Sequence, residues 1–312
     1  MRIVIIGAGG VGGYFGGRLA QAGAEVQFVA RGEHLHALRS RGLRVESIRG
    51  DFSIFPVQAN DTLETFEAAE MILLAVKAWQ VPQAIELLRP RLSGEAGVIY
   101  LGNGVEAVDQ LRQALGAQHV LGGLTRISAA IAGPGHIRHV GIEPYIAFNE
   151  LDGRAGRRVE RLRQAFEAAA GVSVGVPDDI QAAIWEKFVF IAAVSGVGAA
   201  ARAPIGALRH LDETRALLEA AIDETLEVGR ALGVRLGSDI AARTLAFIDT
   251  MAPGVTASMQ RDIMEGRPSE LAAQSGAVVR LGQAAGVPTP VHAFLYASLL
   301  PQELKARGEM LY

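Results

Sequence analysis

Lys187 and Glu186 form a charged pair inside a stretch of otherwise apolar or small residues, AIWEKFVFIAAVSGVGAAA at 183–201. Burying an unpaired ammonium costs several kcal/mol or lowers its pKa. Either the Lys187 side chain reaches water, or it lies in a cleft where its chemistry is useful. A lysine whose pKa falls toward about 7–8 donates protons effectively at neutral pH. Lys187 is therefore a candidate general acid, suited to protonating a carbonyl oxygen during a reduction.

A lysine in this role needs a nearby anion to remain charged before turnover. The segment TASMQRDIMEGRPSE at 256–270 is predicted to be helical and ends in Glu270, which offers that anion. The same segment contains Ser258, whose hydroxyl is able to hydrogen-bond a substrate carboxylate. Sequence spacing does not bring these segments together, so from the residues alone the pairing with Lys187 is a hypothesis.

A glycine loop near the N-terminus points to a phosphate-bearing ligand. Gly7, Gly9 and Gly12 have G-x-G-x-x-G spacing, directly after a predicted strand and at the start of a predicted helix. In this context the glycines permit a tight turn and close approach of a pyrophosphate to the helix N-terminus. The predicted cofactor-binding loop also includes Ala8, Gly10 and Val11. The alternative is a glycine-rich packed helix without a ligand.

The residue at the end of the second predicted strand selects between the two nicotinamide dinucleotides. An NAD site places an acidic residue there for the ribose 2′-hydroxyl. This chain has Arg31 instead, nineteen residues after Gly12, in the sequence FVARGEH. A guanidinium suits a 2′-phosphate, so NADPH is the predicted cofactor. The alternative is that Arg31 is an ordinary solvated arginine.

Lys77 and Asn103 follow the third and fourth predicted strands. Ligands of open α/β sheets bind outside the carboxyl ends of the strands, so both side chains are candidates to face the nicotinamide half of the cofactor. Two alternatives remain: Lys77 as a solvated loop lysine, and Asn103 as a residue in a left-handed turn position, which asparagine tolerates.

The elements that must position these residues follow from hydrophobic patterning. Buried strands are predicted at 2–7, 25–31, 71–76, 97–102 and 119–123. Amphipathic stretches at 80–92 and 106–116 alternate with them, which predicts a parallel sheet covered on both faces. Antiparallel strands around Pro134-Gly135 and a helix near 155–170 follow. Beyond Val176-Pro177 the patterns are helical, so we expect an NADP-binding domain at 1–176 and a helical substrate and dimerisation domain at 177–312.

Composition excludes several functional classes. The 312 residues include no cysteine, so disulfides and thiolate metal sites are excluded, and no metal site is expected. The net charge of −3 and the absence of a Lys/Arg cluster argue against nucleic acid as a partner. The N-terminal apolar run is too short for a signal peptide, and 183–201 is too rich in Gly and Ala to span a bilayer. We therefore expect a cytoplasmic protein without a membrane segment.

These motifs together resemble the ketopantoate reductase (2-dehydropantoate 2-reductase) family along nearly the whole chain. The matching motifs are GAGGVG (7–12), Arg31, VKAWQV (76–81), GNG (102–104), IWEKF (184–188), ASMQRDI (257–263) and RPSE (267–270). The fold that the resemblance implies is an α/β Rossmann-type N-terminal domain followed by an all-α C-terminal domain, with the active site in the cleft between them.

The resemblance also implies roles for individual residues. Lys187 would be the general acid, and Glu270 would hydrogen-bond the substrate hydroxyl and help to hold the ternary complex with cofactor and substrate. Ser258 would bind the substrate carboxylate, and Asn103 would touch both nicotinamide and substrate. The remaining cofactor contacts would come from Arg31 and Lys77, and from the backbone of Ala129.

The sequence departs from the family pattern beside the acid. Family members usually have Asn four and eight positions after the lysine, where this chain has Ile191 and Ser195. On a helix these positions share one stripe with Lys187, so the change is expected to fall in the substrate pocket. The two Asn would bind hydroxyl groups of the substrate. A pocket without them discriminates less strongly between substrates that carry these hydroxyl groups and substrates that lack them.

The leading hypothesis is NADPH-dependent reduction of 2-dehydropantoate to pantoate, in pantothenate biosynthesis. The alternative within this class is a reductase of another 2-oxo acid that yields a D-2-hydroxy acid. A hypothesis of another class is a non-catalytic NADPH sensor, which needs no acid. The apolar run VFIAAVSGVGAAA at 189–201 exceeds what a small helical domain must bury alone, which predicts a homodimer through this domain.

Overall fold

The computed structural model describes residues 1–64, 68–92, 94–154 and 156–311. Backbone contacts divide the chain into two compact units. The first comprises Met1–Gly102 and Ala107–Ile180, and the second comprises Asn103–Glu106 and Gln181–Tyr312. The short segment Asn103–Glu106 thus belongs to the second unit although its flanks on both sides belong to the first. The expected functional boundary at Val176-Pro177 stays a prediction.

The main sheet of the first unit has eight strands in the order β12-β11-β8-β7-β6-β1-β2-β5. These strands are β1 (Arg2–Ile6), β2 (Glu25–Val29), β5 (Gln58–Asn60), β6 (Met71–Leu74), β7 (Gly97–Tyr100), β8 (Val120–Arg126), β11 (Tyr145–Glu150) and β12 (Ser173–Gly175). Neighbours from β5 through β8 pair in parallel, whereas β11 runs antiparallel to β8. The parallel core predicted from the apolar runs is confirmed.

A second, four-stranded sheet has the order β4-β3-β10-β9. Its strands are β3 (Leu43–Ser47), β4 (Phe52–Ile54), β9 (Ala129–Gly133) and β10 (His136–His139). The antiparallel pairing of β9 with β10 confirms the hairpin expected at Pro134-Gly135. The short strands β3 and β4 were not predicted, because their alternating exposed residues leave only brief apolar signals.

Helices cover both faces of the main sheet. They are α1 (Gly10–Gln21), α2 (Gly32–Arg41), α3 (Val81–Leu88), α4 (Glu106–Leu115) and α5 (Arg157–Glu167). Successive β1 residues contribute to opposite cores: Ile3 and Ile5 to one cluster, Val4 and Ile6 to the other. A strand that is buried on both sides explains the continuous apolar run at the N-terminus.

The second unit is helical, and no strand occurs in the described part of 181–312. Its helices are α6 (Ile180–Ala201), α7 (Ile205–His210), α8 (Asp212–Ala231), α9 (Ile240–Thr250), α10 (Ser258–Met264), α11 (Ser275–Ala285) and α12 (Pro290–Ala306). The fold class predicted from the sequence is confirmed. Helix α6 is long and apolar enough to cross a membrane by length and composition, but 61% of its apolar window is buried inside the protein. Such burial is typical of a core helix.

Candidate active site

The glycine loop joins β1 to α1 by a turn that only glycine fits. Gly7 has φ +95°, a left-handed conformation that is strained for other residues. A Cβ on Gly12 would lie 2.1 Å from the carbonyl oxygen of Gly7. Side chains at these two positions would force the turn and the helix apart, which explains the first and third glycines of the motif.

The N-terminus of α1 has the features of an anion site. Gly9 is its N-cap residue, no side chain caps the helix there, and the first turn contains no acidic residue. A Cβ built on Gly9 meets nothing within 4 Å, so open space adjoins the loop. Backbone N–H groups at a helix N-terminus bind phosphates, and open space at the second glycine allows close approach. These residues therefore fit the pyrophosphate of a dinucleotide.

Ala129 lies against this loop, because a Cβ on Gly10 would be 2.2 Å from the carbonyl oxygen of Ala129. The structure thus brings together two predicted cofactor residues that are far apart in sequence. The backbone N–H of Gly135, in the turn that follows β9, donates to Nδ1 of His34 at 3.1 Å. Burial lowers the pKa of His34, so this histidine is a neutral acceptor that links α2 to the hairpin.

Arg31 and Lys77 each follow a strand of the main sheet. Arg31 is exposed, and it is the extended N-cap residue of α2, directly after the strand β2 and Ala30. Lys77 is half-buried, and its backbone N–H donates to the side-chain oxygen of Gln80 at 3.1 Å. Both side chains belong to the first unit, as do Gly7–Gly12 and Ala129.

In the second unit, Asn103 meets Glu270. The Nδ2 atom of Asn103 donates to Oε2 of Glu270 at 3.0 Å, across 167 positions of sequence. Glu270 is only 3% exposed. The left-handed position in this turn is Gly104 (φ +101°), so the alternative that Asn103 occupies it is wrong. A buried carboxylate held by an amide on one oxygen is suited to accept a further hydrogen bond from a ligand.

A second bridge fixes the segment that contains Asn103. Arg280 on α11 donates from Nη2 to Oε2 of Glu106 at 2.6 Å. The same Nη2 donates to the carbonyl oxygen of Ala272 at 2.8 Å. Asn103–Glu106 is therefore held at one end by Glu270 and at the other by Arg280, which also binds the turn that follows Glu270.

Lys187 lies on α6, half-buried. Its neighbour Glu186 pairs with Arg243 on α9 at 3.3 Å, which accounts for one member of the charged pair in this apolar helix. Ile191 is half-buried, and Ser195 is fully buried with a hydroxyl that has no partner among the described atoms. The three residues are spaced by four, so they follow one stripe of the helix.

Ser258 and Glu270 lie in separate elements: of the segment expected to be helical over 256–270, only Ser258–Met264 forms an α-helix. Helix α10 ends at Met264, and Gly266, two residues later, has φ +69°. A glycine in the left-handed conformation terminates a helix. Ser258 is the first residue of α10, which the Gln260 side chain ties to the residues beyond α6 by donating to the carbonyl oxygen of Ala203 at 2.9 Å.

Sequence reasoning missed the polar residues that surround the Glu270 turn. These are Glu106, Ser269, Arg280, Glu303 and Arg307. Glu303 lies in the helix PVHAFLYASLLPQELKA and is 2% exposed. Its only sequence signal is an arginine four positions later, a spacing common on solvated helix faces. No group of three His, Cys, Asp or Glu side chains within the described ranges is arranged to hold a metal ion.

Comparison with known proteins identifies the family. A family model described as "Ketopantoate reductase PanE/ApbA" matches residues 3–153, and its C-terminal counterpart matches residues 179–303. This chain belongs to the ketopantoate reductase family. The resemblance stated from the sequence is confirmed.

Individual relatives are similar over nearly their full length. The 2-dehydropantoate 2-reductase of Mesorhizobium japonicum is 32% identical over 311 residues, covering 93% of this chain and 94% of the relative. The "Uncharacterized oxidoreductase YkpB" of Bacillus subtilis is 31% identical over 303 residues, covering 96% and 98%. The crystal structure of a PanE/ApbA family ketopantoate reductase from Ralstonia eutropha JMP134 has a TM-score of 0.89 and 33% identity, covering 98% of this chain and 100% of that one.

Membership in the ketopantoate reductase family makes the chain an oxidoreductase that acts on a CH–OH group. Its substrate class is a small 2-oxo acid, and its cofactor is a nicotinamide dinucleotide. The glycine loop, the open space at Gly9 and the uncapped N-terminus of α1 fit that cofactor.

Proposed function

We propose that the protein reduces 2-dehydropantoate to pantoate with NADPH, in pantothenate biosynthesis. The observation that supports this most directly is the 3.0 Å hydrogen bond from Asn103 to Glu270. It joins the two residues that the family pattern assigns to the nicotinamide and to the substrate hydroxyl. A protein that only bound the dinucleotide would have no need for a buried carboxylate held in this way.

The glycine loop Gly7–Gly12 would hold the dinucleotide, which would supply the hydride for the keto carbon. The Nζ of Lys187 donates the proton that the developing alkoxide oxygen requires. Glu270, whose carboxylate also accepts from Asn103, accepts a hydrogen bond from a substrate hydroxyl. Ser258 donates to the substrate carboxylate and so fixes the acid end.

The preference for NADPH rests on Arg31. Its exposed guanidinium follows β2, at the position where an NAD site carries an acid. The nearest carboxylate in the sequence is that of Glu33, two residues after Arg31. A charge-assisted bond to a 2′-phosphate is the interaction that this residue supports.

Ile191 and Ser195 favour a second candidate substrate. Ile191 lacks the side-chain amide that the family usually has on the helix stripe of Lys187. The side chain of the buried Ser195 is shorter than that of the usual asparagine. A branched or aromatic 2-oxo acid, reduced to its D-2-hydroxy acid, is therefore the alternative. The NADPH sensor remains the alternative of another class.

The deciding assay follows NADPH oxidation at 340 nm with 2-dehydropantoate and a panel of other 2-oxo acids. Efficient turnover of 2-dehydropantoate supports the first proposal, and turnover of a bulkier acid alone supports the second. Lys187→Ala is expected to lower kcat by about 10²–10⁴-fold, the range of general acid catalysis. NADPH binding should persist in this variant. An absence of turnover with every acid, or an unchanged kcat in the variant, refutes the catalytic role.

We also propose that the first unit binds the dinucleotide and that the second binds substrate and forms a cytoplasmic homodimer. Sedimentation at micromolar concentration tests the dimer, and a monomer there excludes it.

A further inference from the structure

Ser269, the residue before Glu270, is held by a buried carboxylate. Glu303 on α12 accepts the backbone N–H of Ser269 on both oxygens, at 3.1 Å and 3.0 Å. Glu303 Oε2 also accepts the Ser269 hydroxyl at 2.5 Å. The same hydroxyl oxygen accepts the backbone N–H of Leu271 at 3.1 Å. The backbone on both sides of Glu270 is therefore fixed through one carboxylate.

Arg307, the C-cap residue that follows α12, completes this network one turn after Glu303. Its Nε donates to Oε1 of Glu303 at 2.6 Å, and its Nη2 donates to the carbonyl oxygen of Ser269 at 3.1 Å. A carboxylate that is 2% exposed requires a compensating charge and several donors, and Arg307 and Ser269 supply both. A well-packed apolar side chain would anchor α12 at lower desolvation cost, so packing alone does not explain the ion pair.

We infer that Glu303 and Arg307 are positioning residues for Glu270, an inference that rests on the catalytic role proposed for Glu270. Three of the backbone groups that the network binds belong to the two residues that flank Glu270: the N–H and C=O of Ser269 and the N–H of Leu271. Asn103 fixes the carboxylate end of Glu270, and Glu303 fixes its backbone end.

Glu303→Gln tests the inference with minimal change of volume. The new amide NH₂ would face either the donors of Ser269 or those of Arg307, so one set of bonds is lost. A displacement of about 1 Å at a catalytic group costs on the order of 100-fold in rate. We expect kcat to fall by about 10- to 100-fold, with the KM for NADPH unchanged.

A double-mutant cycle separates positioning from other roles. If Glu303 acts through Glu270, Glu303→Gln lowers kcat in the wild-type background but changes it by less than about twofold in the Glu270→Gln background. Equal effects in both backgrounds overturn the inference. These measurements of kcat use 2-dehydropantoate, or the 2-oxo acid of the panel with the highest kcat/KM. If Glu270→Gln alone leaves kcat unchanged, the proposed role of Glu270 is refuted. That result differs from additive effects of the two substitutions, which refute only the positioning role of Glu303.

A control separates rate from stability. Thr225→Val removes a buried hydrogen bond to His292, at 2.9 Å, elsewhere in the second unit. We expect it to lower the urea midpoint without lowering kcat. Should Glu303→Gln fail to fold, Ser269→Ala removes the hydroxyl bonds alone, and Ser269→Thr, which keeps the hydroxyl, should restore kcat. A Ser269→Ala variant with full kcat overturns the inference.

Discussion

Gly9→Ala and Gly12→Ala form a matched pair that separates cofactor binding from folding. Gly9 has φ −75° and ψ −159°, an extended conformation that alanine adopts, and its added Cβ meets nothing within 4 Å. Replacing glycine by alanine at a compatible position stabilises a protein by about 0.4–1 kcal/mol, because the unfolded chain loses freedom. Gly9→Ala should therefore leave the free energy of unfolding unchanged or slightly raised.

Cofactor binding should respond in the opposite way. The methyl group of Gly9→Ala would occupy the open space beside the N-terminus of α1, where the pyrophosphate must approach the backbone. Loss of one hydrogen bond to a charged group costs about 1.5–3 kcal/mol. That range corresponds to an increase in Kd of about 10- to 150-fold. Titration calorimetry with NADPH measures it directly.

Gly12→Ala provides the contrast. Its Cβ would lie 2.1 Å from the Gly7 carbonyl oxygen and 2.8 Å from Cγ2 of Ile5, so the backbone must move. Overpacking of this kind costs about 1–3 kcal/mol, which urea unfolding detects. The reasoning is refuted if Gly9→Ala binds NADPH within twofold of wild type, or if Gly12→Ala unfolds at the wild-type urea midpoint.

Two further predictions concern charge. Arg31→Gln should raise the KM for NADPH by about tenfold or more and leave that for NADH unchanged, because only NADPH carries the 2′-phosphate; equal changes for both refute the assignment. Burial lowers the pKa of His292 to about 4 from 6.5. The unfolded state therefore binds this proton first, and the free energy of unfolding should fall by about 3 kcal/mol as pH drops from about 6.5 to 4. Burial raises the pKa of Glu224, so protonation of Glu224 has the opposite effect on the free energy of unfolding. The variant His292→Asn isolates the contribution of the histidine. Its urea midpoint should depend less on pH than that of the wild type.

The sequence predicted the parts of the fold that local patterning encodes. Runs such as RIVIIG and MILLAV predict buried parallel strands because they are apolar on both faces. Strands β3 to β5 escaped prediction because they are three to five residues long and carry exposed polar side chains. The segment 256–270 was expected to be helical, and the end of α10 at Met264 was not predicted. A single glycine in the left-handed conformation, Gly266, does not change the hydrophobic pattern from which helices are predicted.

The site was predictable only in part, because only local geometry leaves a recognisable spacing in the sequence. The glycine spacing predicted the cofactor-binding loop, whose geometry is local. The bond from Asn103 to Glu270 spans 167 positions, and only the family resemblance associated these residues beforehand. The Glu303–Ser269 contact spans 34 positions and joins a helix to an irregular turn. No sequence spacing predicts a contact of this kind.

The assignment of Asn103–Glu106 to the second unit has a consequence for the modularity of this protein. The helical half is not specified by a continuous stretch of sequence, since an amide and a carboxylate that complete it are encoded more than seventy positions upstream of Gln181. A chimaera joined at Val176 would combine Glu270 and Arg280 from one parent with Asn103 and Glu106 from the other. Recombination between relatives therefore preserves these contacts only if the tetrapeptide and the C-terminal half are inherited together.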